Sequence, residues 1–140
     1  MAYDPDNIFA KILRGEIPCH KVYEDENTLA FLDIMPRTEG HVLVITKEKA
    51  RDLFDISPAA LGKLMAVVQK LAPKIKEAMG AEGVLIQQFN GAAAGQTVFH
   101  LHVHILPRRA GETLKPHAGI IEDQAKLAAA AEKIRKTLSS

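Results

Sequence analysis

Phe99-His100-Leu101-His102-Val103-His104-Ile105 alternates apolar and polar residues at every position. A side-chain period of two belongs to a β-strand, so the three histidines share one face while Phe99, Leu101, Val103 and Ile105 share the other. The spacing predicts a strand over residues 98–106 whose apolar face is buried under helices. Alternate residues on a strand rise by about 6.6 Å, which sets the imidazoles in a row able to act on one small anion.

Working outward, residues 84–89 read as another strand, joined to the first by a flexible loop rich in alanine and glycine, Gly91 to Gly95. Upstream, Ser57-Pro58 is a helix start. Leu61, Leu64, Met65, Val68, Leu71, Ile75 and Met79 then keep one apolar stripe up to Gly80, predicting a single long helix kinked at Pro73. Three further strands are expected at residues 21–24, 28–34 and 41–46, the first two forming a hairpin about Asp25-Glu26-Asn27. Asp6 or Asn7 caps a short helix ending near Arg14, and the alanine-rich stretch 124–138 is helical. The sum is an α+β domain with a five-stranded, mainly antiparallel sheet, the long helix on one face and short N- and C-terminal helices.

At 140 residues the chain suits one domain, residues 1–140, with a helical tail over about 120–140. Its 18 basic and 17 acidic side chains nearly balance, so nucleic acid is not the expected partner. No run is apolar enough for a membrane span, and Met-Ala-Tyr-Asp-Pro-Asp lacks the features of a secretion signal, so a cytoplasmic location is expected. Cys19 is the sole cysteine, rules out an intramolecular disulfide and reads as a small apolar side chain.

A neutral imidazole is a competent nucleophile near neutral pH, while a protonated neighbour can stabilise negative charge or hand on a proton. The loop at residues 91–97 has small residues that let backbone N–H groups approach a phosphate, and Thr97 adds a hydroxyl. The same His-x-His-x-His spacing also suits an open zinc site. The residues alone leave both readings standing.

His100-Leu101-His102-Val103-His104-Ile105-Leu106 resembles the His-φ-His-φ-His-φ-φ signature (φ apolar) of the histidine triad, or HIT, superfamily. Residues 8–18, 23–46 and 90–108 resemble that family too. The resemblance implies a HIT-like fold without a cofactor or a metal, because Asn7 and Ala10 stand where zinc-binding members carry cysteines. It implies a hydrolase or transferase acting on the α-phosphate of purine ribonucleotide derivatives, foremost nucleoside phosphoramidates, through a nucleotidyl-histidine intermediate. His102 would be the nucleophile, His100 its orienting partner through a ring nitrogen, His104 a phosphate ligand and Thr97 a proton donor to the leaving group. Asp33 would bind the ribose hydroxyls. Ile8, Phe9, Ile12, Phe31 and Ile34 would enclose the base, with His41, Asn90, Gly95 and Gln96 beside the phosphate. His20 and His117 match no role and are expected to face solvent.

The alternatives are a diadenosine polyphosphate hydrolase, suggested by Arg108-Arg109, and a nucleotide-binding signalling module with vestigial catalysis. Family resemblance also implies a homodimer through the long helix and the fourth strand.

Overall fold

The computed structural model describes residues 2–117 and 119–140. Helix α1 (Ile8–Leu13) starts at Asn7, whose side chain accepts the Ala10 N–H, so Asn7 rather than Asp6 is the cap. Strands β1 (Lys21–Glu24), β2 (Thr28–Leu32) and β3 (Val42–Thr46) follow. Next come helix α2 (Pro58–Ala78), strands β4 (Gly83–Gln87) and β5 (His102–Arg108), and helix α3 (Gln124–Leu138). The sheet order is β1-β2-β3-β5-β4 and every pairing is antiparallel. This is the five-stranded α+β architecture anticipated from the pattern.

Helices α2 and α3 pack together on one sheet face. Leu64, Leu71 and Ile75 of α2 and Leu127, Ala131 and Ile134 of α3 join Val42, Val44, Val103 and Ile105 in the main core. On α2 the buried stripe includes Val67, while Met65 is 43% exposed and lies outside it. The helix runs through Pro73 to Ala78. A helix-interior proline costs about 3 kcal/mol, and burying Leu71 and Ile75, each worth about 1.5–3 kcal/mol, offsets it.

The opposite sheet face carries a smaller core of Phe9, Leu29, Phe31, Leu43 and Ile45, covered by α1. This is the face on which the histidines lie, because Ile45 pairs with His102 and Leu43 with His104 across β3 and β5.

Strand β5 begins at His102, four residues later than the alternation suggested. Residues 98–101 approach it in irregular conformation, held by the Leu101 N–H donating to the Ala50 carbonyl at 2.9 Å. Phe99 therefore escapes the core and lies under the Arg51 guanidinium, 5.3 Å from the ring centre. The glycine-rich stretch is not a slack loop. Ala92–Ala94 form a 3-10 turn closed by Gly95 at φ +105°, a conformation that favours glycine. Gly40 at φ +85° serves a second need, since a Cβ there would meet Met79 Cγ at 2.5 Å just before His41 enters the core. Among the described residues, no helix is long and apolar enough to cross a membrane.

Candidate active site

The antiparallel register between β3 and β5 aims His102 and His104 from one strand face toward α1. Their ring centres are 5.0 Å apart, and Phe9 of α1 sits edge-on to His102 at 4.9 Å. His41, immediately before β3, lies 5.2 Å from His104. His100 precedes the strand and is fully buried behind it, against Tyr3 at 5.6 Å. Two of the three triad imidazoles therefore face the cleft.

Hydrogen-bond partners fix which nitrogen of each ring holds its proton. The Arg37 backbone N–H donates to His41 Nδ1 at 3.1 Å, so neutral His41 carries its hydrogen on Nε2. That Nε2–H donates to His104 Nδ1 at 2.9 Å, which puts the His104 hydrogen on Nε2. His104 Nε2 is buried without a partner among the described residues and lies at the cleft as an unused donor.

His102 is set the other way round. Its Nδ1 lies 2.6 Å from the His100 carbonyl, which can only accept, so Nδ1 carries the hydrogen and Nε2 keeps its lone pair. His100 donates from Nε2 to the Thr46 carbonyl at 2.7 Å and accepts from Tyr3 Oη at 2.6 Å. The expected orientation of His102 by the His100 ring is thus replaced by orientation through the His100 main chain.

Electrostatics agree with neutral rings. Burial pushes His102 down to about 4, His41 to about 3 and His104 to about 2, with mutual repulsion among the imidazoles adding to the burial of each. His100 is also lowered, again chiefly by burial. Burial raises the Asp33 carboxyl, against the Met35 N–H that its side chain accepts.

The cleft brings together Ile8, Phe9, Ile12, Phe31, Asp33, Ile34, Thr97, His102 and His104 from the sequence-derived set. Apolar side chains form most of its wall. His41 and His100 stand behind that wall. Asn90 faces away: its side chain accepts the Leu53 N–H and pairs with the Gln88 amide. Gln96 is also spent on structure, accepting the Gly91 N–H and donating to the carbonyls of Arg51 and Val98. Together with Gly95, beside Phe89, these residues stiffen the turn that delivers Thr97 instead of lining the cleft.

Positions not anticipated there also reach the cleft. Ile17, Pro18 and Met35 extend its apolar wall, and His117 joins its polar end. Cys19 lines it as well, with burial raising its thiol pKa so that it stays neutral. His117 does not face solvent as expected: it packs 5.7 Å from His104 and 5.6 Å from Phe89. His20 is tied instead to Gln124 Oε1 at 2.7 Å, where α3 begins. Only the apolar positions had a periodic signal that could have marked them.

Ligand atoms of Asp33, His41 and His104 lie within 4.8 Å of one another, close enough to suggest a cation site. The donor chemistry favours a relay instead. With Arg37 N–H occupying Nδ1, neutral His41 has no lone pair on Nε2 to offer a metal.

The HIT domain family profile matches residues 14–111. A crystal structure of a HIT-like protein from Bartonella henselae superposes with a TM-score of 0.91 at 46% identity, covering 97% of this chain and 99% of that one. Adenylylsulfatase HINT3 of Arabidopsis thaliana is 37% identical over 126 residues, 86% of this chain and 64% of its own length. Adenosine 5'-monophosphoramidase hnt1 of Schizosaccharomyces pombe is 42% identical over 101 residues, 72% of this chain and 73% of its own. With the paired imidazoles, the turn before them and the sheet order all placed, this chain belongs to the HIT domain family.

Proposed function

We propose that the protein hydrolyses purine ribonucleotide derivatives at the α-phosphorus, foremost AMP joined to an amine, through a nucleotidyl-His102 intermediate. The observation that carries this reading is the opposed ordering of two neighbouring rings: His102 keeps a lone pair on Nε2, and His104 offers an N–H beside it. A nucleophile and a donor for phosphate oxygen are the pair that attack at phosphorus needs.

In the first step His102 Nε2 forms a bond to phosphorus as the P–N bond to the amine breaks. The departing nitrogen keeps the bonding pair and takes a proton relayed from water by the Thr97 hydroxyl at the cleft mouth. His102 now carries positive charge, and its Nδ1–H bond to the His100 carbonyl offsets it. Water then adds to phosphorus, the P–Nε2 pair returns to the ring, and the water's proton leaves to solvent. The net change consumes one water and yields AMP and free amine.

Asp33 supplies two acceptor oxygens for the ribose hydroxyls, and the apolar wall of Ile8, Phe9, Ile12, Phe31 and Ile34 suits a base. The names carried by HINT3 and hnt1, an adenylylsulfatase and a monophosphoramidase, agree with an adenylyl substrate. Arg108 and Arg109 give no support to a longer phosphate chain. Arg108 donates to the Glu112 carbonyl, Arg109 is held by Glu112, Glu39 and the Met79 carbonyl, and neither lines the cleft. The test is mass spectrometry of protein quenched during turnover of an adenosine phosphoramidate. An adenylyl group on His102 is expected, and turnover with no adenylylated His102 at any time overturns the pathway.

We also propose a homodimer. Strand β4 is an edge of the sheet with one side unpaired, and Ile86 on it and Met65 on α2 are 40% and 43% exposed along one shallow groove. Light scattering is expected to give twice the 15.3 kDa chain mass, and a mass of one chain refutes the pairing.

A further inference from the structure

Three buried side-chain nitrogen atoms lack a hydrogen-bond partner among the described residues, and two of them, His104 Nε2 and His117 Nε2, belong to residues lining one cleft. Buried polar atoms in folded proteins are nearly always paired, so two orphans in adjoining rings mark a place where a ligand supplies the partners. The rings are 5.7 Å apart, a separation that one phosphate group with several peripheral oxygens can bridge.

The segment bearing His117 is built to hold it there. Lys115 N–H donates to the Arg37 carbonyl at 2.9 Å, Arg37 Nε donates back to the Lys115 carbonyl at 2.9 Å, and Glu122 N–H donates to the Ile34 carbonyl at 2.8 Å. All three bonds land on the loop between β2 and β3 that also carries Asp33 and positions His41. Phe89 packs edge-on against the His117 ring at 5.6 Å and tilted against His104 at 5.3 Å, so one aromatic side chain backs both imidazoles. The imidazole is thus clamped by its own segment and by an aromatic neighbour, while its Nε2 is left without an acceptor.

We infer that His117 is a second phosphate-binding imidazole, which with His104 grips the α-phosphate from the segment between β5 and α3. This rests on the nucleotide reading above and adds to it a residue outside the triad. Removing the ring nitrogen should weaken ligands that carry the phosphate and spare those that lack it.

Titration calorimetry with AMP and with adenosine separates the possibilities. His117→Phe keeps a ring packed against Phe89 and His104 but has no N–H, and His117→Gln restores a donor of similar reach. AMP affinity is expected to fall about tenfold in His117→Phe, the loss of one charge-assisted hydrogen bond, with adenosine affinity within about twofold of wild type. His117→Gln should recover most of the AMP affinity. The inference is overturned if His117→Phe binds AMP like wild type, if both ligands weaken equally, or if glutamine is no better than phenylalanine. Wild-type protein that binds neither ligand would defeat the nucleotide reading itself, a result distinct from the other three.

Discussion

Replacing His102 with alanine is expected to lower kcat for an adenosine phosphoramidate by on the order of 10⁴-fold or more, because neither neighbouring imidazole of the β3–β5 pair can take its place as nucleophile. His104 offers an N–H where His102 offers a lone pair, and His41 is turned inward with both nitrogens engaged. The ranking among the three triad positions is as informative as the size of the loss. His104→Ala removes a donor to the phosphate and should cost less than His102→Ala, on the order of 10²–10³-fold. His100→Ala should cost least, since the carbonyl that holds His102 Nδ1 belongs to the main chain and survives the substitution. Orientation by the His100 ring would instead make that variant nearly as damaged as the nucleophile variant. Steady-state kinetics on the three purified variants decides the order, and His102→Ala turnover within about tenfold of wild type removes His102 from the role of nucleophile.

The same contrast shows what the sequence could and could not convey. Alternation along residues 99–105 identified a strand and its two faces, because residues 102–105 obey the sheet's period of two. It overran at Phe99 and His100, where the chain is still turning and where a hydrogen bond from Leu101 to Ala50 has no local signature. The helices were legible from apolar stripes and caps, down to Ser57, whose hydroxyl accepts the Ala60 N–H at the start of α2. Polar roles were harder to read, since Asn90 and Gln96 have side chains that serve a phosphate or a backbone carbonyl equally well. Only the folded turn shows that both are used internally. His117 was invisible because nothing periodic surrounds it; a long-range backbone tether to Arg37 brings it to the cleft.

Acidification from pH 7.5 to pH 5 is expected to destabilise the fold by several kcal/mol, through the same buried imidazoles that serve the chemistry. An unfolded histidine titrates near 6.5, whereas burial holds His102 at about 4, His41 at about 3 and His104 at about 2. Between those values the unfolded chain binds protons that the folded chain refuses, so stability is full above pH 6.5 and falls as pH drops below it. At pH 5, about 1.5 units below the unfolded value, each independent site contributes a loss of about 2 kcal/mol. His41 and His104 share one hydrogen bond and titrate as a pair, but at pH 5 the unfolded chain binds two protons that the folded pair refuses, so their loss adds to that of His102. Asp33 opposes the trend, because burial raises its carboxyl and acid then favours the folded state, but only as pH approaches the carboxylate range. A loss of several kcal/mol is large against the roughly 5–15 kcal/mol typical of a domain. Urea unfolding at pH 7.5, 6.5 and 5.0 should show the midpoint retreating only below pH 6.5, and His102→Ala should lose about 2 kcal/mol less over the same interval. Equal wild-type stability at pH 7.5 and 5.0 contradicts the picture of neutral, desolvated rings. Catalysis carries the matching sign: with His102 already neutral, kcat/KM has no break near 6.5, and its acid limit arrives with the loss of the fold that keeps the lone pair dry.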